Sequence, residues 1–216
     1  MKQITYIYSA HSAFAWLGSA RLMEICTQSG ACLVHKPIEL SPVVEAAGGL
    51  PFAGRTQAHE DYFFGRDIEH WAEFRGVAVI PHRPTYHDNP LALASGAIIA
   101  AQEAEPESGA GADALAHAIL GAHWRDDADI NDAATLAPLI AGCGLDADAI
   151  LSAALTDAIQ TLYRRNTTEA IAQNIFGSPT YIVGGDPFYG QDRLDLVERA
   201  LRRPFAPTTW HNPPAG

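Results

Sequence analysis

Polar and apolar residues alternate from Gln3 to Tyr8, with Ile and Tyr prominent, a period-two pattern that predicts a strand. From Ser12 the period changes. Phe14, Leu17, Leu22 and Ile25 recur at near-helical spacing until Ser29-Gly30, where glycine ends the pattern. Residues Ala31 to Pro37 then read as a second strand. Strand, helix and strand in this order predict a crossover unit with parallel pairing. The middle of the chain is helical in pattern. Ser41-Pro42 opens a helical turn that Gly48-Gly49-Leu50-Pro51 breaks. His59 to Phe74 carries Tyr62, Phe63, Ile68 and Trp71 among charges, an amphipathic helix ending at Gly76. Asn89-Pro90 starts a helix through the apolar run Leu91 to Ala101. A polar loop over Glu103–Gly111 follows, then helices over Asp113–Trp124, Asp132–Ala141 and Asp146 to about Ala172. Strand signals return at Thr180–Val183 and Pro187–Tyr189, joined by a tight turn at Gly184-Gly185-Asp186, and Asp192–Leu201 closes with a helix. The order is βαβ, a helical block, then ββα. It predicts one mixed sheet interrupted by an insertion, an α/β layout with helices packed beside the sheet.

The 216 residues are 48% hydrophobic and 18% charged, enough to bury a core and too apolar for a disordered chain. A formal charge of −11 repels phosphate backbones, so nucleic acid is not expected as a partner. An anionic substrate would need a local positive feature, such as a helix N-terminus. No apolar run reaches the roughly 20 residues of a membrane span, and the N-terminus lacks the apolar stretch of a signal peptide. The expected location is the cytoplasm, with Cys26, Cys32 and Cys143 as three buried free thiols.

Three places can carry chemistry. Ser12 sits where a strand feeds a helix, so free N–H groups and the helix dipole favour an anion there, a thiolate included. An ordinary N-cap is the commoner role of such a serine. Ser178-Pro179 precedes the hairpin. There Pro179 marks a strand start, and a cis bond would free the Ser178 backbone for an extended ligand, although X–Pro bonds are cis only about 5–6% of the time. Gln191 and Asp192 open the last helix, where backbone N–H groups suit a carboxylate and the acid suits an ammonium, or simply cap the helix. His59, His70, His82 and His87 lack metal-ligand spacing, so solvated or core histidines and no metal are expected. Trp16, Trp71 and Trp124 fall on predicted helices and read as packing.

SAFAWLGSARL from Ser12, YFFGRDIEHWAEFRG from Tyr62, HWRDDADI from His123 and IFGSPTYIVGGDPFYGQDRLDLVERAL from Ile175 together resemble the 2-hydroxychromene-2-carboxylate isomerase family. That family is close to kappa-class glutathione transferases and, more distantly, to DsbA-type oxidoreductases. The resemblance implies a thioredoxin-like fold, with a core of residues 1–40 and 173–203, a helical insertion over 41–172 and a Pro-rich, loosely ordered tail over 204–216. It implies glutathione as cofactor, an aromatic unsaturated acid as substrate in aromatic catabolism, and a possible homodimer. It also implies that Ser12 is catalytic and that Ser178-Pro179 is cis. By the same resemblance Ser178, Pro179, Gln191, Asp192 and His59 hold glutathione, and Tyr86 and Asn89 lie on the substrate side.

Three positions depart from the family pattern. Ala13 replaces the usual proline after the serine. His59 stands where relatives carry lysine, and a free histidine loses its charge at about pH 6.5. Gly49 stands nearest a usual asparagine. With Ser12 and Ala15 in the places of two thiols, dithiol redox chemistry at this position is excluded. A kappa-type transferase or peroxidase, or a non-catalytic thioredoxin-like binding module, are the alternative readings.

Overall fold

A computed structural model describes residues 2–105 and 109–213. Strand β1 (Lys2–Tyr8), helix α1 (Ala13–Ser29) and strand β2 (Ala31–Pro37) form the predicted crossover. β1 and β2 pair in parallel from Lys2↔Ala31 to Tyr8↔Pro37. Gly30 ends α1 at φ 66°, a left-handed position that suits a residue without Cβ. At the other end of the chain, β3 (Thr180–Val183) pairs antiparallel with β1, and β4 (Asp186–Tyr189) pairs antiparallel with β3. The sheet order is β2-β1-β3-β4. Gly184 and Gly185 bridge the hairpin with φ of 59° and 89°, both positive as a two-residue turn of this kind requires.

Between the two halves of the sheet lie α2 (Leu40–Ala46), a short 3₁₀ turn at Phe52–Gly54, α3 (Gln57–Asp61), α4 (Asp67–Arg75), α5 (Ala92–Ala104), α6 (Ala110–Trp124), α7 (Ala133–Gly142), α8 (Ala147–Ala154) and α9 (Asp157–Ala172). A final helix, α10 (Leu194–Arg202), follows the hairpin. Thioredoxin-like sheet and helical insertion share one continuous core. It runs from Tyr6, Leu17 and Ile25 through Ile98, Leu115 and Ile119 to Val197. No helix among the described residues is long and apolar enough to cross a membrane.

Several boundaries differ from expectation. The helix expected from His59 begins at Gln57, and a π-helical segment at Tyr62–Arg66 joins α3 to α4. The helix expected at Pro90 begins at Ala92. The single long helix expected from Asp146 is two, broken at Leu155-Thr156. The break comes from packing. A Cβ at Gly96 of α5 would lie 2.2 Å from the Ala154 carbonyl, so α5 meets the end of α8 at backbone distance. Gln160 Nε2 then donates to the carbonyls of Ala154 (2.7 Å) and Ala92 (3.0 Å) and ties the corner. The last helix opens with a 3₁₀ turn at Gln191–Arg193.

The expected Glu103–Gly111 loop lies partly outside the described residues, as does the end of the tail. Before that end, Phe205 sits under Arg199 (3.7 Å) and beside Phe188, so the start of the tail is anchored. Of the three cysteines, all free, only Cys26 is buried. Cys32 points to the less covered face of β2, whose burial alternates, and Cys143 caps α7 at its exposed end. Trp16 and Trp124 are buried as expected, and Trp71 is half-buried against the core.

Beneath the sheet a polar chain crosses the core. The Tyr8 hydroxyl lies 2.9 Å from His35 Nδ1, and His35 Nε2 lies 2.8 Å from Asp113 Oδ1. Tyr8 and His35 are both almost fully buried. The expected outcome for Tyr8→Phe is a loss of about 1–3 kcal/mol, because His35 Nδ1 is left buried without its partner. Urea denaturation of the two proteins measures it.

Candidate active site

Ser12 caps α1. Its φ and ψ are −73° and 121°, its Oγ accepts from Ala15 N–H at 3.3 Å, and its carbonyl accepts from Trp16 N–H at 3.0 Å. The hydroxyl uses a lone pair for the cap, so its proton stays available to a bound anion. Capping and anion binding are therefore compatible at this serine. Among the described residues, the N–H groups of Ala13 and Phe14 have no protein acceptor. Proline at position 13 would remove one of them, so the departure at Ala13 adds a donor to the helix mouth.

Ala13→Pro should therefore stabilise the fold by about 0.4–1 kcal/mol through a stiffer unfolded chain. The same change should raise the pKa of a thiol bound at the helix mouth. Thermal melts check the first effect, and thiolate absorbance checks the second.

Backbone bonds bring the three sequence-distant pieces together. Ser12 N–H donates to the Ser9 carbonyl (3.0 Å), and Ser9 N–H donates to Ser178 Oγ (3.0 Å). The Ser178–Pro179 bond is cis, and Gly190 N–H donates to the Pro179 carbonyl (2.9 Å). Among the described residues, neither the N–H nor the C=O of Ser178 takes a protein partner. Next along the chain stands Gln191, 2% exposed, which accepts from Arg75 Nε through Oε1 (3.2 Å) and from Arg75 Nη2 through its carbonyl (3.3 Å). The Asp192 carboxylate pairs with Arg193 and stays partly exposed. Gly190 holds φ at 100°, and a Cβ there would lie 2.3 Å from Asp192 Oδ1, so only glycine fits this corner.

His59 lies in α3, half-buried, with its ring 4.6 Å from Phe63. The better-placed cation on that side is Arg55, which sequence reasoning missed. Its guanidinium lies over Phe52 (4.5 Å) and Phe64 (5.2 Å), and its Nε is buried without a hydrogen-bond partner. Burial raises the Tyr189 phenol pKa and the Arg55 charge opposes that rise, so Arg55 reaches towards β4. Tyr189 in turn lies against Gly177, just before the cis proline, since a Cβ at Gly177 would sit 2.9 Å from the Tyr189 hydroxyl.

Gly49 cannot stand in for asparagine. A Cβ there would lie 2.6 Å from Val44 Cγ1 and 2.9 Å from the Val44 carbonyl oxygen. On the expected substrate side, Tyr86 is 41% exposed and Asn89 donates to Asp129 Oδ2 at 2.9 Å. The Asn89 amide therefore fixes the loop as folded.

Four histidines expected to be solvated or core residues divide. His70 and His82 are exposed and His59 is half-buried. His87 joins His11 and His123 in a cluster that no local spacing reveals, because its members are 76 and 36 residues apart. Burial, and then the neighbouring imidazoles, push His87 down to about 3. Burial and His123 push His11 down to about 4, and burial lowers His123.

A four-stranded thioredoxin sheet, a helical insertion and a cis proline facing the α1 N-terminus define a thioredoxin-like protein, and a family model for the DSBA-like thioredoxin domain matches residues 3–202. The chain belongs to that family. Within it, the chain is similar to the 2-hydroxychromene-2-carboxylate isomerase of Sphingobium xenophagum, 27% identical over 93% of this chain and 98% of that protein. A solved 2-hydroxychromene-2-carboxylate isomerase superposes with a TM-score of 0.76 at 23% identity, covering 93% of this chain and 95% of that one. The cytosolic disulfide reductase DsbM from Pseudomonas aeruginosa, solved with GSH, has a TM-score of 0.59 at 16% identity, covering 94% and 93%.

Proposed function

We propose that this protein is a glutathione-dependent isomerase of aromatic unsaturated acids of the 2-hydroxychromene-2-carboxylate type. The observation that carries the reading is that three groups from distant segments are tied together by hydrogen bonds and packing. They are the capped mouth of α1 at Ser12, the unpaired Ser178 backbone beside cis-Pro179, and the Gln191–Asp192 corner braced by Arg75. An extended peptide suits the Ser178 backbone. An α-amino acid end suits Gln191 and Asp192. The sulfur of the tripeptide would then lie near Ser12, where free N–H groups and the helix dipole stabilise a thiolate.

The chemistry balances without an added oxidant or reductant. The cyclic hemiketal first opens, its hydroxyl proton passing to the phenol oxygen as the ring C–O bond breaks, to give an unsaturated α-keto acid. The thiolate then adds to the double bond conjugated with that ketone, and the electron pair moves onto the ketone oxygen as an enolate. Rotation about the new single bond follows. Collapse of the enolate expels the thiolate and restores the double bond with the other geometry. Ser12 supplies one charge-assisted hydrogen bond to the sulfur. Arg55, packed over the neighbouring rings of Phe52 and Phe64, is a cation available to a carboxylate on the insertion side. The curated relatives named as isomerases support this assignment over transfer. Three free cysteines suit a reducing, cytoplasmic setting.

The test incubates purified protein with 2-hydroxychromene-2-carboxylate, with and without glutathione, and reads products by mass spectrometry. Conversion at unchanged mass that requires glutathione supports the proposal. A glutathione conjugate would make the protein a transferase instead. Turnover indifferent to glutathione, or no turnover and no glutathione binding, would overturn the reading.

A further inference from the structure

We propose that His11, His87 and His123 form a three-histidine site for a divalent transition-metal ion, with Zn²⁺ as the leading candidate. The three residues come from separate segments: the loop after β1, the turn before α5, and the last turn of α6. Each offers a ring nitrogen that lies within 4.8 Å of those offered by the other two. The donor set is all imidazole. Calcium and magnesium prefer oxygen ligands, whereas Zn²⁺, Co²⁺, Ni²⁺ and Cu²⁺ accept nitrogen. Three protein ligands leave a zinc ion one open position, the arrangement of catalytic rather than structural zinc.

An outer contact orients the His11 ring as metal-bound histidines are usually oriented, with one nitrogen held by backbone and the other bare. His11 Nδ1 lies 3.2 Å from the His87 carbonyl, which can only accept, so that nitrogen carries the proton and Nε2 keeps its lone pair. His123 is fully buried, and its Nδ1 has no hydrogen-bond partner among the described residues. Its Nε2 lies 2.9 Å from His87 Nδ1. The proton shared by that pair is the one an ion bound to both nitrogens would displace, to the other nitrogen of the ring that carries it. The His11 carbonyl is itself fixed by the Trp124 indole N–H at 2.8 Å. Burial opposes protonation of all three rings, and neighbouring imidazoles add to this at His11 and His87.

The surrounding field suits a cation. Asp127 and Asp129 act on His123, and Asp88 acts on His11 and His87. Arg83 opposes them, but both of its terminal nitrogens are engaged by Asp88. One adjustment is required. The His11 and His87 rings stack with centroids 4.3 Å apart and planes 6° from parallel. A lone pair lies in its ring plane, so one of these rings must turn before both nitrogens face one ion. Nitrogens on a tetrahedral zinc, each about 2.0–2.1 Å from it, sit roughly 3.4 Å apart. The nitrogens lie within 4.8 Å of one another, with His87 Nδ1 and His123 Nε2 at 2.9 Å, and that separation is within the reach of a side-chain rotation at half-buried His11. Since His11 is the chain neighbour of Ser12, an ion here would sit beside the mouth of α1.

The experiment titrates tag-free, chelator-washed protein with Co²⁺, followed by Zn²⁺ displacement. Visible absorption reports four-coordinate Co²⁺, and calorimetry gives stoichiometry. One equivalent is expected, displaced by Zn²⁺. Affinity should fall on the order of 100-fold in both His11→Gln and His87→Gln, and stay unchanged in His70→Gln. Circular dichroism confirms that the variants fold. No stoichiometric binding, or wild-type affinity in either His11→Gln or His87→Gln, overturns the site. Turnover plays no part in this readout, so it stands apart from the proposed isomerase activity.

Discussion

Ser12→Ala is expected to lower glutathione-dependent turnover by roughly 10- to 150-fold, the equivalent of losing one charge-assisted hydrogen bond of about 1.5–3 kcal/mol. The loss acts through the sulfur. With the hydroxyl gone, a bound thiolate keeps the first-turn N–H groups but loses its side-chain donor, and its pKa rises accordingly. The alanine also removes the acceptor of Ala15 N–H, so the fold should lose about 1 kcal/mol of capping energy. These two effects separate. Thiolate absorbance of bound glutathione, titrated with pH, reports the first, and thermal denaturation reports the second. Ser12→Thr, which keeps a hydroxyl, should recover much of both. Unchanged turnover together with an unchanged thiol pKa in Ser12→Ala would remove Ser12 from the chemistry and leave it a helix cap.

Gly18→Ala is expected to raise the KM for glutathione by about 10- to 100-fold while leaving a folded protein. Gly18 lies one and a half turns into α1, and a Cβ there would sit 2.7 Å from Gln191 Cβ and 3.2 Å from Leu194 Cδ1. Gln191 is the nearer obstacle, and its Cβ is too close to its own backbone to swing aside. The 3₁₀ turn carrying Gln191 and Asp192 must move, and a displacement near 1 Å in a positioning element can cost on the order of 100-fold. On stability, overpacking of about 1–3 kcal/mol is partly offset by the roughly 1 kcal/mol that alanine gains over glycine inside a helix. Steady-state kinetics at varied glutathione, with urea denaturation alongside, checks both. A wild-type KM would show that the Gln191 corner does not bear on the cofactor.

Both experiments act where the fold closes contacts between distant segments, and there the sequence was least informative. The strands, the α1 boundaries and the Gly184-Gly185 turn were legible because each follows from local rules. Alternation marks a half-buried strand, a left-handed glycine ends a helix, and paired glycines permit a tight hairpin. Ser12, Ser178 and Gln191 were legible as candidates because helix starts and X–Pro steps have recognisable chemistry. The break at Leu155-Thr156 was not legible, because it is imposed by Gly96 on another helix. Arg55 reads in sequence as one more surface charge, and only the rings of Phe52 and Phe64 give it a fixed place. By the resemblance, Gly49 reads in sequence as an exchange of one side chain for none. The structure makes it a backbone constraint, since no side chain fits there beside Val44.

By itself the sequence determined the strands, the crossover helix between the first two, and the order of strand and helical blocks. It also determined that no dithiol can form at Ser12. Backbone propensity, turn chemistry and residue identity act over a few neighbours and are written locally. Tertiary structure alone decided that Ser9 reaches Ser178, that Arg75 braces Gln191, and that three histidines from three segments share one corner. Contacts of that kind arise when the chain closes on its core, and their partners lie dozens of residues apart.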